Sequence, residues 1–140
     1  MHIRKMRIED YDEMYILWMS SAGIGLNDFD DSKIGIDKFL NRNPNSCFIA
    51  EIDNKIIGTI LVGTDGRRGH IYHLAVAEML RNNGIATKLV NTALCALKNM
   101  GITKVALVVF KDNDIANKFW TKSGFVERED LIYRNRQLIE

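Results

Sequence analysis

A strand that runs directly into a long helix through a polar, glycine-bearing turn constrains this chain more than any other stretch. It covers residues 71–100 and reads IYHLAVAEMLRNNGIATKLVNTALCALKNM. The apolar opening predicts a strand, and the amphipathic part after Gly84 predicts a helix. The first turn of a helix leaves backbone N–H groups without partners at the positive end of the helix dipole. The turn is therefore a candidate anion site, although one glycine there is a weak signal alone.

The composition limits what else the chain can be. Its 140 residues, 46% hydrophobic and 26% charged, predict a single globular domain over residues 1–140. The net charge of +1 argues against nucleic acid as a partner, so any phosphate binding must be local. No apolar run approaches the ~18 residues of a membrane span, and the opening MHIRKMRIED does not read as a signal peptide. Cys47 and Cys95 lack metal-ligand spacing, so we expect free thiols, no metal and a cytoplasmic location.

Apolar periodicity predicts the element order β-α-α-β-β-β-α-β-α-β-β. Asp10 is expected to cap the first helix, with Glu13 in capping-box position. Residues 104–110, KVALVVF, predict a strand buried on both faces, and residues 125–139 predict one or two final strands. The expected fold class is α/β (α+β), with a mixed, mostly antiparallel, twisted sheet of about six to seven strands and helices on both faces.

Two motifs on these elements resemble the GNAT family of N-acetyltransferases. The first matches the pattern Leu-x-Val…Gln/Arg-x-x-Gly-x-Gly/Ala and consists of Leu74-Ala75-Val76 and Arg81-Asn82-Asn83-Gly84-Ile85-Ala86. The second matches Asn-x-x-Ala-x-x-[Phe/Leu]-Tyr-x-x-x-Gly-Phe through Asn113, Ala116, Phe119, Gly124 and Phe125, with Trp120 at the tyrosine position. The resemblance extends over essentially the whole chain and implies the acyl-CoA N-acyltransferase fold.

The resemblance implies acetyl-CoA as cosubstrate. The amides of residues 82–86 would hold the pyrophosphate beside Arg81, as at other helix N-termini. The backbone of residues 74–76 would face the pantetheine arm, and the Leu74 amide would polarise the thioester carbonyl. Asn113, Ala116 and Phe119 would contact the coenzyme from the second motif, although Asn113 is equally suited to cap a helix. Asn82 replaces a glycine of the commonest pattern, and asparagine tolerates the left-handed backbone such a turn requires.

His70 and Tyr72 are the candidates for the general base, since related transferases often place it two or four residues before the oxyanion residue. Strand alternation predicts that both share a face with Leu74, whereas His73 packs beneath the long helix. Histidine has a suitable pKa for this work. A surface histidine beside an aromatic lining residue explains the same pattern. Trp120 is not an acid in the required range, so it cannot protonate the departing thiolate.

The sequence says least about which amine accepts the acetyl group. Asp28, Asp30 and Asp31 form either a rim that attracts a cationic amine or a solvated turn before the second helix. We therefore predict transfer of an acetyl group to a small-molecule or peptide amine by direct attack in a ternary complex. The alternative is a non-catalytic acyl-CoA sensor, which Trp120 favours. Pairing of C-terminal strands between two chains would be an ordinary route to a homodimer. A dinucleotide oxidoreductase is disfavoured, because Gly-x-Gly-x-x-Gly is missing from the first strand–helix turn.

Overall fold

The structure, a computed structural model, describes residues 1–21 and 24–139. Its contacts divide the chain into two compact units, Met1–Phe110 and Lys111–Glu140. The strands of the first unit are β1 (His2–Lys5), β2 (Phe48–Ile52), β3 (Lys55–Thr64), β4 (Gly69–Val76) and β5 (Val105–Leu107). Its helices are α1 (Tyr11–Met19), α2 (Lys33–Arg42) and α3 (Ile85–Asn99), and the second unit contains α4 (Asp114–Lys122).

The strands form one mixed sheet in the order β1-β2-β3-β4-β5. The first four pair antiparallel, and β5 pairs parallel to β4 after the α3 crossover. The predicted fold class is confirmed, with five strands among the described residues. The final strands expected within residues 125–139 do not form. The apolar side chains of Val126, Ile132 and Leu138 are exposed there, so no packed face supports a strand.

Helices cover both faces of the sheet, as predicted. A Cβ atom at Gly58 of β3 would lie 3.0 Å from Leu89, so this face packs against α3. On the other face, the indole of Trp18 in α1 donates a hydrogen bond of 2.9 Å to the hydroxyl of Thr59. From Gly58 onward, even-numbered residues of β3 therefore face α3, and odd-numbered residues face α1 and α2. We call these two sides of the sheet the α3 face and the α1/α2 face.

The capping box predicted at the start of α1 is wrong, because both carboxylates bind elsewhere. Asp10 accepts hydrogen bonds from the Arg4 guanidinium at 2.8 Å and from the Arg7 amide at 2.9 Å. Burial would raise the pKa of Asp10, but the hydrogen bonds from Arg4 and Arg7 outweigh it and lower that pKa. Glu13 accepts from the Ile56 amide at 2.6 Å. The two acids thus tie α1 to β1 and β3.

The strand predicted over residues 104–110 is shorter and more exposed than expected. Only residues 105–107 pair with β4, and β5 is the edge strand of the described sheet. Half-buried and exposed residues alternate here, and Val108 is 58% exposed. The apolar run thus packs on one face only. It pairs with β4 along three residues and has no strand on its other side in the described sheet. Among the described helices, none combines the length and apolar character needed to span a membrane.

Candidate active site

A β-bulge at Tyr72 sets the geometry of the central strand. His73 pairs with Leu61 of β3 and Ile71 pairs with Val62, so Tyr72 is the extra residue between them. The bulge shifts side-chain parity by one position. His70, opposite Gly63, and His73, opposite Leu61, consequently share the α1/α2 face, whereas Leu74 faces α3. The predicted common face for His70, Tyr72 and Leu74 is therefore wrong.

The pairing between β4 and β5 ends at the same level as the bulge. The last pair is Ile71 with Leu107, yet β4 continues to Val76. Residues 74–76 pair with β3 on one side and have no strand partner on the β5 side in the described sheet. Beyond Ile71 the two parallel strands are no longer paired. The backbone of residues 74–76 forms the β4 side of the opening between them.

Beyond this opening, the chain turns sharply into α3. Asn82 has φ of 66° and Gly84, the N-cap residue, has φ of 78°. The left-handed conformation predicted for Asn82 is confirmed. Among the residues that the structure describes, no side chain caps the first turn of α3. This leaves the amides there available to an anion, in the arrangement that anion-binding helix N-termini use.

Residues 81–84 of the turn are exposed, and two of their side chains donate hydrogen bonds to backbone carbonyls. The Arg81 Nε donates to the Val76 carbonyl at 3.3 Å, and the Asn83 amide donates to the Leu80 carbonyl at 3.1 Å. Ile85 is buried in the core and Ala86 is half-buried. These contacts join the turn to the end of β4.

The two candidate bases lie together on the α1/α2 face. The rings of His70 and Tyr72 have centroids 4.5 Å apart, and Tyr72 meets Phe39 of α2 edge-on at 5.5 Å. Phe39 lies so close over Gly63 that a Cβ there would fall 2.6 Å from its ring. Burial lowers the pKa of His70, which favours the neutral imidazole that a base requires. Tyr72 is 56% exposed. Phe39 was not among the predicted site residues.

The three acids of the loop before α2 do not share one environment. Asp28 and Asp30 are exposed, as a rim requires. Asp31 is 7% exposed, and its carboxylate lies 2.7 Å from His73 Nε2. Asp31 is therefore not a rim residue. His73 lies on the α1/α2 face against Trp18, not beneath α3, because the bulge reverses its direction. No sequence signal marks this pair, since its members are far apart in the chain.

The second unit carries the other motif on α4. Asn113 is the N-cap residue, and its side-chain oxygen accepts from the Ala116 amide at 3.1 Å. Ala116 and Phe119 are half-buried. Trp120 is buried and makes edge-on contacts with Phe119 at 5.0 Å and Phe125 at 5.1 Å. Within this unit, Trp120 is thus a packing residue. Across the described ranges, no three His, Cys, Asp or Glu side chains gather into a metal-binding group.

The chain belongs to the acetyltransferase (GNAT) family, which it matches over residues 10–125. The expected family is thereby confirmed, and the match includes both sequence motifs.

Solved structures of N-acetyltransferases have the same fold. Ard1 from Thermoplasma volcanium is 24% identical, with a TM-score of 0.80 over 89% of this chain and 82% of that one. A PaiA N-acetyltransferase from Thermoplasma acidophilum, solved with coenzyme A, is 22% identical, with a TM-score of 0.75 over 86% of each chain. AAC(6')-Iy, solved with the bisubstrate analogue CoA-S-monomethyl-acetylneamine, is 20% identical, with a TM-score of 0.74 over 97% of each chain.

Proposed function

We propose that this chain transfers an acetyl group from acetyl-CoA to a primary amine by direct attack within a ternary complex. The observation that carries the proposal is the opening of the sheet at Ile71, where β4 loses β5 as its partner but continues to Val76. A pantetheine arm is extended and rich in amides, so it can pair with free strand backbone. The family to which the chain belongs supports this use of the opening.

The turn before α3 is proposed to hold the pyrophosphate. The backbone amides of residues 82–86 lie at the start of α3, whose first turn is capped by no side chain among the described residues, and Arg81 adds positive charge beside them. From the family motif, Asn113, Ala116 and Phe119 are proposed to contact the coenzyme. The matched range, residues 10–125, covers parts of both units, which supports one acyltransferase domain over residues 1–140. No metal is assigned to the reaction.

The proposed chemistry needs one oxyanion donor and one base. The Leu74 amide would polarise the thioester carbonyl as negative charge develops on its oxygen. His70 would take the proton from the attacking amine, directly or through water, because its lowered pKa keeps it neutral near pH 7. Tyr72 lies beside it as the second candidate base. Since Trp120 cannot donate a proton in this range, the thiolate would be protonated by water or by the ammonium product.

The acceptor is proposed to be a cationic small-molecule or peptide amine. Asp28 and Asp30 are exposed in the loop before α2 and would attract positive charge. The aromatic side chains of Tyr72 and Phe39 would line the path to the base. We further propose the cytoplasm as the compartment, which the free thiols of Cys47 and exposed Cys95 support. We also propose that the chain forms a homodimer through its C-terminal residues.

Release of free thiol from acetyl-CoA, measured against a panel of polyamines, aminoglycosides and peptide amines, tests the proposal. We expect amine-dependent release together with calorimetric binding of coenzyme A. Tight coenzyme binding without release on any amine would instead support the sensor alternative. Absence of coenzyme binding would refute both.

A further inference from the structure

Asp31 organises the loop before α2. Its carboxylate contacts His73 Nε2 at 2.7 Å and accepts from the Asn27 amide at 2.7 Å. The backbone carbonyl of Asp31 accepts from the Tyr11 hydroxyl at 2.6 Å. The side-chain oxygen of Asn27 in turn accepts from the Asp30 amide at 3.0 Å. A displacement of Asp31 would therefore be passed on to Asp30, one of the exposed acids.

His73 is the residue of β4 to which Asp31 connects the loop. It follows the bulged Tyr72 and precedes Leu74, the proposed oxyanion donor. Its ring lies on the indole of Trp18 with centroids 5.2 Å apart, and that indole is itself bonded to Thr59 of β3. Because a carboxylate only accepts hydrogen bonds, Nε2 carries the hydrogen that points at Asp31. Both partners are nearly buried, with 10% and 8% of their side chains exposed.

We propose that His73 and Asp31 are positioning residues that hold the acceptor loop at a fixed distance from the reacting segment of β4. This proposal rests on the proposed function, in which the acceptor amine binds beside the loop before α2. Their hydrogen bond links the loop directly to the residue beside the oxyanion donor. Loss of the bond would loosen the acceptor site and leave the coenzyme turn, which follows the C-terminal end of β4, unchanged.

A second ion pair provides a matched control. Asp10 is also 7% exposed and lies 2.8 Å from Arg4, but this pair joins β1 to the start of α1. Asp10→Asn removes a buried charged partner just as Asp31→Asn does. A purely structural role for Asp31 predicts that both variants lose stability and that neither selectively changes the KM for the amine.

The test compares His73→Phe with His73→Gln. Phenylalanine keeps a ring against Trp18 but has no donor, whereas glutamine keeps an N–H near the position of Nε2. His73→Phe is expected to raise the amine KM about tenfold, with the acetyl-CoA KM within about twofold, since a charge-assisted bond is worth roughly that factor. His73→Gln should retain the wild-type amine KM within about threefold, since the donor remains.

Amide hydrogen exchange of residues 24–31 gives a readout that does not depend on turnover. Exchange should accelerate in His73→Phe and Asp31→Asn, and it should stay at the wild-type rate in His73→Gln and Asp10→Asn. Equal exchange and equal amine KM in His73→Phe and His73→Gln would overturn the proposal, as would a matching rise in Asp10→Asn. Wild-type protein that binds coenzyme A but acetylates no amine would refute the proposed function, while the exchange comparison would still decide the role of the pair.

Discussion

Substitution of Gly84 by glutamate tests the coenzyme site most directly. Gly84 is the N-cap residue of α3, with φ of 78°, and a Cβ there would meet no atom within 4 Å. The substitution is thus free of clashes, and its structural cost is the left-handed backbone alone, about 1–2 kcal/mol. For a chain of this size, that cost corresponds to a fall in Tm of roughly 3–6 °C.

The effect on binding is expected to be larger than the effect on stability. A carboxylate about 5 Å from a phosphate repels it by about 3 kcal/mol at an effective dielectric constant of about 20. The new carboxylate also competes for the first-turn amides of α3, where negative charge is favoured. Since 1.4 kcal/mol corresponds to a factor of ten, coenzyme A affinity should fall by about a hundredfold or more.

Gly101 supplies the control at the other end of the same helix. It has φ of 83° and the same open surroundings, so Gly101→Glu introduces equal backbone strain and equal charge. Gly84→Gln adds bulk without charge and isolates the electrostatic part. Isothermal titration calorimetry with coenzyme A, together with thermal unfolding, measures both quantities. Affinity in Gly84→Glu within about threefold of that in Gly101→Glu would refute the assignment of the turn, because the estimated repulsion alone exceeds that factor.

Two further substitutions test the chemistry. Because burial lowers the pKa of His70, kcat/KM should decrease only when the pH falls below the ordinary histidine pKa of about 6.5. His70→Ala should abolish this decrease at low pH and lower kcat by about a hundredfold. An unchanged pH–rate profile would exclude His70 as the base. Trp120→Phe should leave kcat within about tenfold of wild type, since Trp120 packs against Phe119 and Phe125 and transfers no proton. A collapse of turnover in a folded variant would contradict that role.

The elements and the turn could be predicted from sequence because their signals are local. The cap of α2 is local in this sense, because the Ser32 hydroxyl accepts from the Gly35 amide three residues later at 3.0 Å. The left-handed Asn82 followed from its place in the turn motif. Apolar spacing and turn chemistry act within a few residues, so one chain is enough to detect them.

The features that were not predicted depend on contacts distant in sequence. Asp10 satisfied the spacing of a helix cap, but a guanidinium on the neighbouring strand binds its carboxylate instead. His73 and Asp31 meet only because a bulge turns His73 toward the loop. Whether a strand contains a bulge is determined by its partner and by the packing on both faces, which alternation along one strand does not encode.

The bulge at Tyr72 also determines which changes of length β4 can tolerate. Its extra residue acts as a phase shift, so that an even-numbered residue before it and an odd-numbered residue after it share one face. Deletion of Tyr72 would leave His70 and His73 two residues apart, and uniform alternation would then keep both on the α1/α2 face. Loss of the bulge without a change of length would instead leave them three residues apart and turn them to opposite faces. With residues 73–76 held in register against β3, the imidazole of His70 would then leave the acceptor face and enter the apolar layer under α3.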